Sequence, residues 1–306
     1  MSFALTAYQN EYLPAGATGV DAVVTVAATG GRAVAAEQDK AVVLIVDTSG
    51  SMGMPDDKIR AARRAARTAV EMLPDGTLFA VIAGSHEARC VYPSSVAPAL
   101  VRADERTRRE AAAAVGGLRD SGGTAISTWL HLARLLFETH SGAIRLAYLL
   151  TDGRNEGEQP VVLQSQLDRC RGLFQCDCRG VGDGWEVAEL RHIATSLLGE
   201  VDMIARPDDM DDDFAAFLDR AIGKSVGDVR LRVWSPQGAV VRFVRQVAPS
   251  IAELTDQAVA VNALTHDVPT GAWSGDESRD YHVRVEVPPG NVGDEKLAAR
   301  ITLVVG

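Results

Sequence analysis

The sequence predicts an α/β domain built on a doubly wound, mostly parallel sheet, with a smaller antiparallel β-sandwich domain beside it. Three observations carry this. Continuous apolar runs such as AVVLIVD (41–47) and IRLAYLLTD (144–152) suit strands buried on both faces, as parallel strands are. Segments with helical spacing alternate with these runs, the pattern of βαβ units with right-handed crossovers. From about residue 226 the long helical patterns stop, and short alternating runs separated by Pro, Gly and Asp take over.

The elements follow in order. TGVDAVVTVAAT (18–29) alternates and carries β-branched residues, so it reads as a strand. After the run ending at Asp47, KIRAARRAARTAVEMLP places Ile59, Ala62, Ala66, Ala69 and Leu73 at helical spacing, and Pro74 ends it. TLFAVIAG is strand-like. ERTRREAAAAVGGL is helical and stops at Gly116-Gly117. TAISTWLHLARLLFE is a helix with Ile126, Leu130, Ala133 and Phe137 on one face. After the strand ending at Asp152 come a helix near 160–173, the strand QCDCRGVG, the helix EVAELRHIATSLLG, the short strand EVDMIA and the helix DDDFAAFLDRAIGK. The expected domains are residues 37–224 for the α/β unit, with 1–36 and 225–306 forming the β-rich unit. The strand near residue 23 then joins the C-terminal strands, and the α/β unit is inserted between them.

Composition narrows the function. The 306 residues are 46% hydrophobic and 24% charged, ordinary for a globular chain. A formal net charge of −10 argues against nucleic acid as a partner, because phosphate binding needs a basic surface. No stretch reaches the about 18 unbroken apolar residues of a membrane helix, and the N-terminus lacks a basic region followed by an apolar one. The expectation is a cytoplasmic protein with neither membrane nor nucleic-acid partners. Cys90, Cys170, Cys176 and Cys178 make no disulfide framework at this size and read as buried thiols.

Five residues carry the chemistry: Asp47, Ser49 and Ser51 in VVLIVDTSGSMG, Thr124 in DSGGTAIS, and Asp152 in AYLLTDGRNEG. Asp47 and Asp152 end parallel-strand candidates, and ligands of open α/β sheets bind at the carboxyl ends of the strands. Ser49 and Ser51 sit in the following turn, and Gly122-Gly123 lets the Thr124 loop approach closely. Two carboxylates and three hydroxyls, with no thiolate or imidazole, suit a small hard cation. Mg²⁺ fits best, and Mn²⁺ or Ca²⁺ can occupy the same oxygens. The bland alternative is that these residues only cap helices and turns.

DTSGSMG, SGGT and LLTDG together resemble the von Willebrand factor type A domain, whose metal-ion-dependent adhesion site is Asp-x-Ser-x-Ser, then a distant Thr, then a distant Asp. All five positions match, over roughly residues 37–224. The resemblance implies a Rossmann-like domain that binds Mg²⁺ and takes a partner's Asp or Glu as the next metal ligand. In bacteria such domains are often intracellular, and some work with AAA+ ATPases. The expected function is a non-enzymatic, Mg²⁺-dependent protein-interaction module, with Ser49, Ser51 and Thr124 as direct ligands and one aspartate acting through water.

Two alternatives stay open: a Mg²⁺-dependent phosphatase-like hydrolase using Asp47, and a scaffold with a vestigial site. No G-x-x-x-x-G-K-[ST] is present, and no G-x-S-x-G surrounds Ser49 or Ser51. The turn from Gly180 to Gly184, including Asp183, departs from a dinucleotide fingerprint and reads as a strand-to-helix connection. His86, His131, His140 and His192 read as structural or solvated. Arg60, Arg63, Arg64 and Arg67 read as a solvated helix face, and the acidic run Asp208–Asp213 as a helix N-terminus. Met52, Met54 and Pro55 are candidates for the rim of a partner surface.

Overall fold

A computed structural model describes residues 1–30, 38–54, 57–95, 97–140, 142–182 and 184–306. The chain divides into two compact units, Met1–Ala36 with Lys224–Gly306, and Glu37–Gly223. Residues 31–37, on which the first expected boundary falls, lie outside the described residues, as do Pro55 and Asp183.

Strands β1 (Ser2–Gln9) and β2 (Gly19–Thr29) open the chain. The α/β unit then runs β3 (Lys40–Asp47), α1 (Asp57–Met72), β4 (Leu78–Gly84), β5 (Ala88–Tyr92), β6 (Val101–Arg102), α2 (Glu105–Gly116), α3 (Ile126–Glu138), β7 (Ile144–Thr151), α4 (Pro160–Cys170), β8 (Gln175–Val181), α5 (Val187–Ser196), β9 (Val201–Ile204) and α6 (Met210–Gly223). Its sheet has the order β5-β4-β3-β7-β8-β9, with β6 also pairing β4. β4, β3, β7, β8 and β9 are parallel to one another in that order, and the short β5 and β6 are antiparallel to β4. Mostly parallel, doubly wound architecture is therefore what the chain adopts.

The apolar runs behave as double-sided burial requires. Ala41 to Val46 are all within 1% of zero exposure. Ala41, Val43 and Ile45 face a core shared with Ile126, Leu130, Ala133 and Phe137 of α3, Leu163 and Leu167 of α4, and Leu190 and Ile193 of α5. On β7, Tyr148 packs instead against Phe214 and Phe217 of α6, with ring centroids 4.2 and 4.9 Å apart. Helix α1 packs on α2 and α6, and its buried side chains are mostly alanines.

Going from β3, the chain adds β4 on one side and later returns to add β7, β8 and β9 on the other. The direction of winding reverses between β3 and β7. The carboxyl ends of these two strands are the general ligand position in open α/β sheets. Asp47 is the last residue of β3, and Asp152 directly follows β7.

The other unit consists of β1, β2, β10 (Lys224–Trp234), β11 (Val240–Ala248), β12 (Ala252–Glu253), β13 (Val259–Asn262), β14 (Thr265–Ser274), β15 (Ser278–Glu286) and β16 (Arg300–Val305). They form two antiparallel sheets, β1-β2-β15-β11-β12 and β13-β14-β10-β16. β2 pairs with β15 from Gly19↔Glu286 to Ala27↔Ser278, so N- and C-terminal segments share one sheet. Phe3 meets Trp273 edge-on at 5.6 Å, and the Arg279 guanidinium lies over the same indole at 4.2 Å. The sequence does not predict β1: it is an edge strand with most of its residues exposed, so it lacks a clean apolar alternation.

Candidate metal centre

The turn after β3 is built by its own polar groups. Asp47 Oδ1 accepts the backbone N–H of Ser49 at 2.7 Å, an Asx turn that folds the chain back over the strand end. Thr48 N donates to Gly84 O (2.7 Å), Ser121 N to Thr48 O (2.7 Å) and Gly50 N to Gly122 O (2.9 Å). These bonds fasten the Ser49–Ser51 turn to the end of β4 and to the loop that carries Thr124. Gly122 has φ +77°, and a Cβ there would lie 2.3 Å from His86 Nδ1, so glycine is needed for this approach.

All five predicted residues come to this one place. Ser49 Oγ and Ser51 Oγ are 3.0 Å apart, and Ser51 Oγ donates to Asp152 Oδ1 at 2.7 Å. A Cβ on Gly153 would stand 3.2 Å from Ser51 Oγ and 3.5 Å from Thr124 Oγ1. Glycine thus keeps open a small cradle bordered by two of the three hydroxyls. Ser49 precedes a short 3₁₀ turn yet makes no side-chain capping bond, so its hydroxyl is not spent on capping. Among the described residues no three His, Cys, Asp or Glu cluster around a potential metal position, so a cation here must draw on hydroxyl oxygens. Hydroxyls with carboxylates are a hard-cation donor set.

The two aspartates are held differently. Asp47 is 0% exposed and both its oxygens are engaged, the second by Thr151 Oγ1 at 2.5 Å. Burial pushes its carboxyl up to about 6. The bonds from Ser49 and Thr151 offset part of that, and the negative charge of Asp152 adds to it. Asp152 is 1% exposed; its Oδ2 accepts from Lys58 Nζ at 2.6 Å.

Four residues of this site lie outside the five that the sequence motif marks. Thr151 and Lys58 are two. The others are Asn155 and Glu158, which cap α3 from outside it. Ala125, at the N-cap, has no side-chain bond to give. Instead Ile126 N donates to Asn155 Oδ1 (3.0 Å) and Ser127 N to Glu158 Oε1 (2.9 Å), while Gly157 N donates to Thr124 O (2.7 Å). The loop after β7 therefore grips the residue that supplies the third hydroxyl. Only LLTDG holds a local hint, a polar Thr closing an apolar strand.

Other sequence candidates resolve as structure. Met52 is fully buried, so it belongs to the core and not to any rim, whereas Met54 is 80% exposed. Arg64 pairs with Asp211 and Asp208, Asp209 pairs with Arg206, and Asp213 binds Arg179 and Tyr148. Arg64 of the basic stripe thus meets the acidic run, while Arg67 pairs with Glu71 on its own helix. All four cysteines are free; Cys170, Cys176 and Cys178 are buried, but Cys90 is only partly so. No helix among the described residues is long and apolar enough to cross a membrane.

Known proteins share this fold. The family model described as von Willebrand factor type A domain matches residues 40–202. The solved structure of a von Willebrand factor type A protein from Catenulispora acidiphila is similar over 99% of this chain and 69% of its own, at 46% identity and a TM-score of 0.94. The ArnB paralog VWA2 from Sulfolobus acidocaldarius shares the fold at 16% identity, covering 99% of this chain and 74% of its own, with a TM-score of 0.56. Proximal thread matrix protein 1 from the mussel byssus, solved with zinc in its metal-ion-dependent adhesion motif, aligns with 65% of this chain and 48% of its own, at 21% identity and a TM-score of 0.50. No curated protein matches. The chain belongs to the von Willebrand factor type A domain family.

Proposed function

We propose that this protein is a non-enzymatic interaction module that binds Mg²⁺ and captures an acidic side chain of a protein partner through it. The observation that carries this reading is the meeting of Ser51 and Thr124 at the Gly153 cradle, with Ser49 and Asp152 bonded to Ser51 and Asp47 bonded to the Ser49 amide. Ser49, Ser51 and Thr124 would hold the metal directly. Asp47, with both oxygens already accepting bonds, would orient the turn and act on the metal at one remove. Mg²⁺ takes about six oxygens and keeps some water, which leaves a position for a partner's carboxylate. The zinc-occupied motif of the mussel protein supports a divalent cation at this place. An AAA+ ATPase is a partner class to try first, in the cytoplasm.

The same geometry speaks against Asp47 as a phosphoryl-accepting nucleophile. Asp47 is fully buried and each of its oxygens already accepts a hydrogen bond, so its carboxylate is poorly placed to attack an incoming phosphorus. Calorimetric titration of metal-stripped protein with Mg²⁺, alongside Asp47→Ala, tests the reading. One equivalent bound by the wild type and lost in the variant is the expected result. Absence of binding in folded wild-type protein overturns it in favour of a scaffold. Mg²⁺-dependent turnover of a phosphate ester, abolished by Asp47→Asn, overturns it in favour of a hydrolase.

A further inference from the structure

Lys58 lies in the first turn of α1, and its ammonium touches the Asp152 carboxylate oxygen that does not bond Ser51. Asp152 Oδ1 takes Ser51 Oγ at 2.7 Å; Asp152 Oδ2 takes Lys58 Nζ at 2.6 Å. The lysine side chain is 19% exposed and the aspartate 0%, so the pair is shielded from water and its Coulomb interaction is only partly screened.

We infer that Lys58 is a tethered counter-cation that loosens the hold of the centre on its dication and strengthens the pull of the loaded centre on a carboxylate. Charge within the bonded cluster sets both signs. Asp47 and Asp152 bring two negative charges and Lys58 one positive. With Lys58, a bound dication leaves the cluster with one positive charge, which an incoming carboxylate cancels. Without Lys58, the loaded cluster is already neutral, and an incoming carboxylate leaves it negative. Metal and partner therefore respond to this lysine with opposite sign. In the metal-free protein the ammonium also covers part of the Asp47–Asp152 repulsion. This role presupposes the metal centre proposed for the same residues.

The test uses Lys58→Gln, which can keep a hydrogen bond to Asp152 but not the charge, and Lys58→Arg, which keeps the charge. Mg²⁺ affinity is read by calorimetry on metal-stripped protein. Carboxylate capture is read with sodium acetate on the Mn²⁺-loaded protein, from loss of the water-proton relaxation enhancement as Mn²⁺-bound water is displaced. Lys58→Gln should bind Mg²⁺ about tenfold more tightly and acetate about tenfold more weakly, the size expected for one partly screened charge near a dication. Lys58→Arg should stay within about threefold of wild type in both, because the charge is retained. If Lys58 only orients Asp152, Lys58→Gln leaves both affinities near wild type or weakens both, and Lys58→Arg, with its altered bond geometry, weakens both; either result overturns the inference. Should Lys58→Gln not fold, Lys58→Arg still separates the two roles. Wild-type protein that binds no Mg²⁺ or Mn²⁺ overturns the metal centre itself, whereas a wild type that binds metal and acetate while the variants fail the opposite-sign pattern overturns Lys58 alone.

Discussion

The Thr151 hydroxyl donates a hydrogen bond to Asp47 Oδ2 at 2.5 Å, joining the last residues of two neighbouring parallel strands that are 104 positions apart in sequence. Both side chains are fully buried. This bond fixes one oxygen of Asp47, and the Ser49 amide fixes the other, so the carboxylate cannot rotate. Thr151→Val keeps the shape and removes the donor. The buried oxygen left behind should cost about 1–3 kcal/mol of stability, the usual penalty for an orphaned buried acceptor. Thermal melting of the metal-free α/β unit in the full chain checks it; an unchanged melting temperature would mean the bond is dispensable.

Thr124→Ala removes a hydroxyl without changing charge, and Thr124 borders the Gly153 cradle together with Ser51. Mg²⁺ affinity should fall about 10-fold or more with secondary structure intact, because loss of an oxygen that fixes a metal is at least as costly as loss of an outer-shell partner. Calorimetry and far-UV circular dichroism on the same sample separate lost binding from lost folding.

The α/β frame is legible in the sequence because double-sided burial leaves a continuous apolar run, and β3, β4 and β7 all show one. The five-residue site is legible because each residue ends such a run or sits in a glycine-rich loop. What stays hidden depends on contacts across long sequence separations. Lys58 carries no mark in the sequence, because the Asp152 it pairs with lies 94 positions away. Asn155 and Glu158 carry none either, because the α3 amides they cap lie about 30 positions earlier. Met52 reads as rim because it sits beside the serines, yet the 3₁₀ turn points it into the core.

Metal-free protein should respond to pH through Asp47. Its carboxyl, raised by burial to about 6 from an ordinary 3.8, binds a proton more readily folded than unfolded. Stability from this group is therefore full below about pH 4 and is lost as pH rises through about 6, a swing on the order of 3 kcal/mol. Asp47→Asn should abolish that part of the pH dependence. Saturating Mg²⁺ should flatten it as well, since the bound cation favours the ionised form. Melting temperatures between pH 4 and 7, with and without Mg²⁺, give the comparison. A wild-type profile parallel to that of Asp47→Asn would refute it.

The Asn155–Glu158 clasp should couple helix stability to metal binding. Asn155 Nδ2 donates to Glu158 Oε1 at 2.7 Å, so the two capping side chains also brace each other. Asn155→Ala leaves Ile126 N without its acceptor and should cost about 1 kcal/mol, as loss of a helix cap does. Because Gly157 still holds the Thr124 carbonyl, Mg²⁺ affinity should fall less than in Thr124→Ala. Equal losses in the two variants would show that Thr124 is positioned mainly through this clasp.

In the other unit, Glu277 sets acid sensitivity with the opposite sign. Burial pushes its carboxyl up, but Arg279 and Lys224, with the Ser274 amide, more than offset that and hold it at about 2, against an ordinary 4.5. Lys224 Nζ stands 3.0 Å from Glu277 Oε2, and the glutamate side chain is 18% exposed. A depressed carboxylate stabilises the fold above its unfolded value and loses that contribution as pH falls from about 4.5 to about 2, on the order of 3 kcal/mol in all. Glu277→Gln removes the charge at every pH. Near neutrality it should therefore melt well below wild type, since Arg279, 7% exposed over Trp273, loses its counter-charge. As the pH is lowered toward 2, the gap between the two proteins should close. A gap that stays constant across that range would mean that the shape of the glutamate side chain, and not its charge, stabilises the unit.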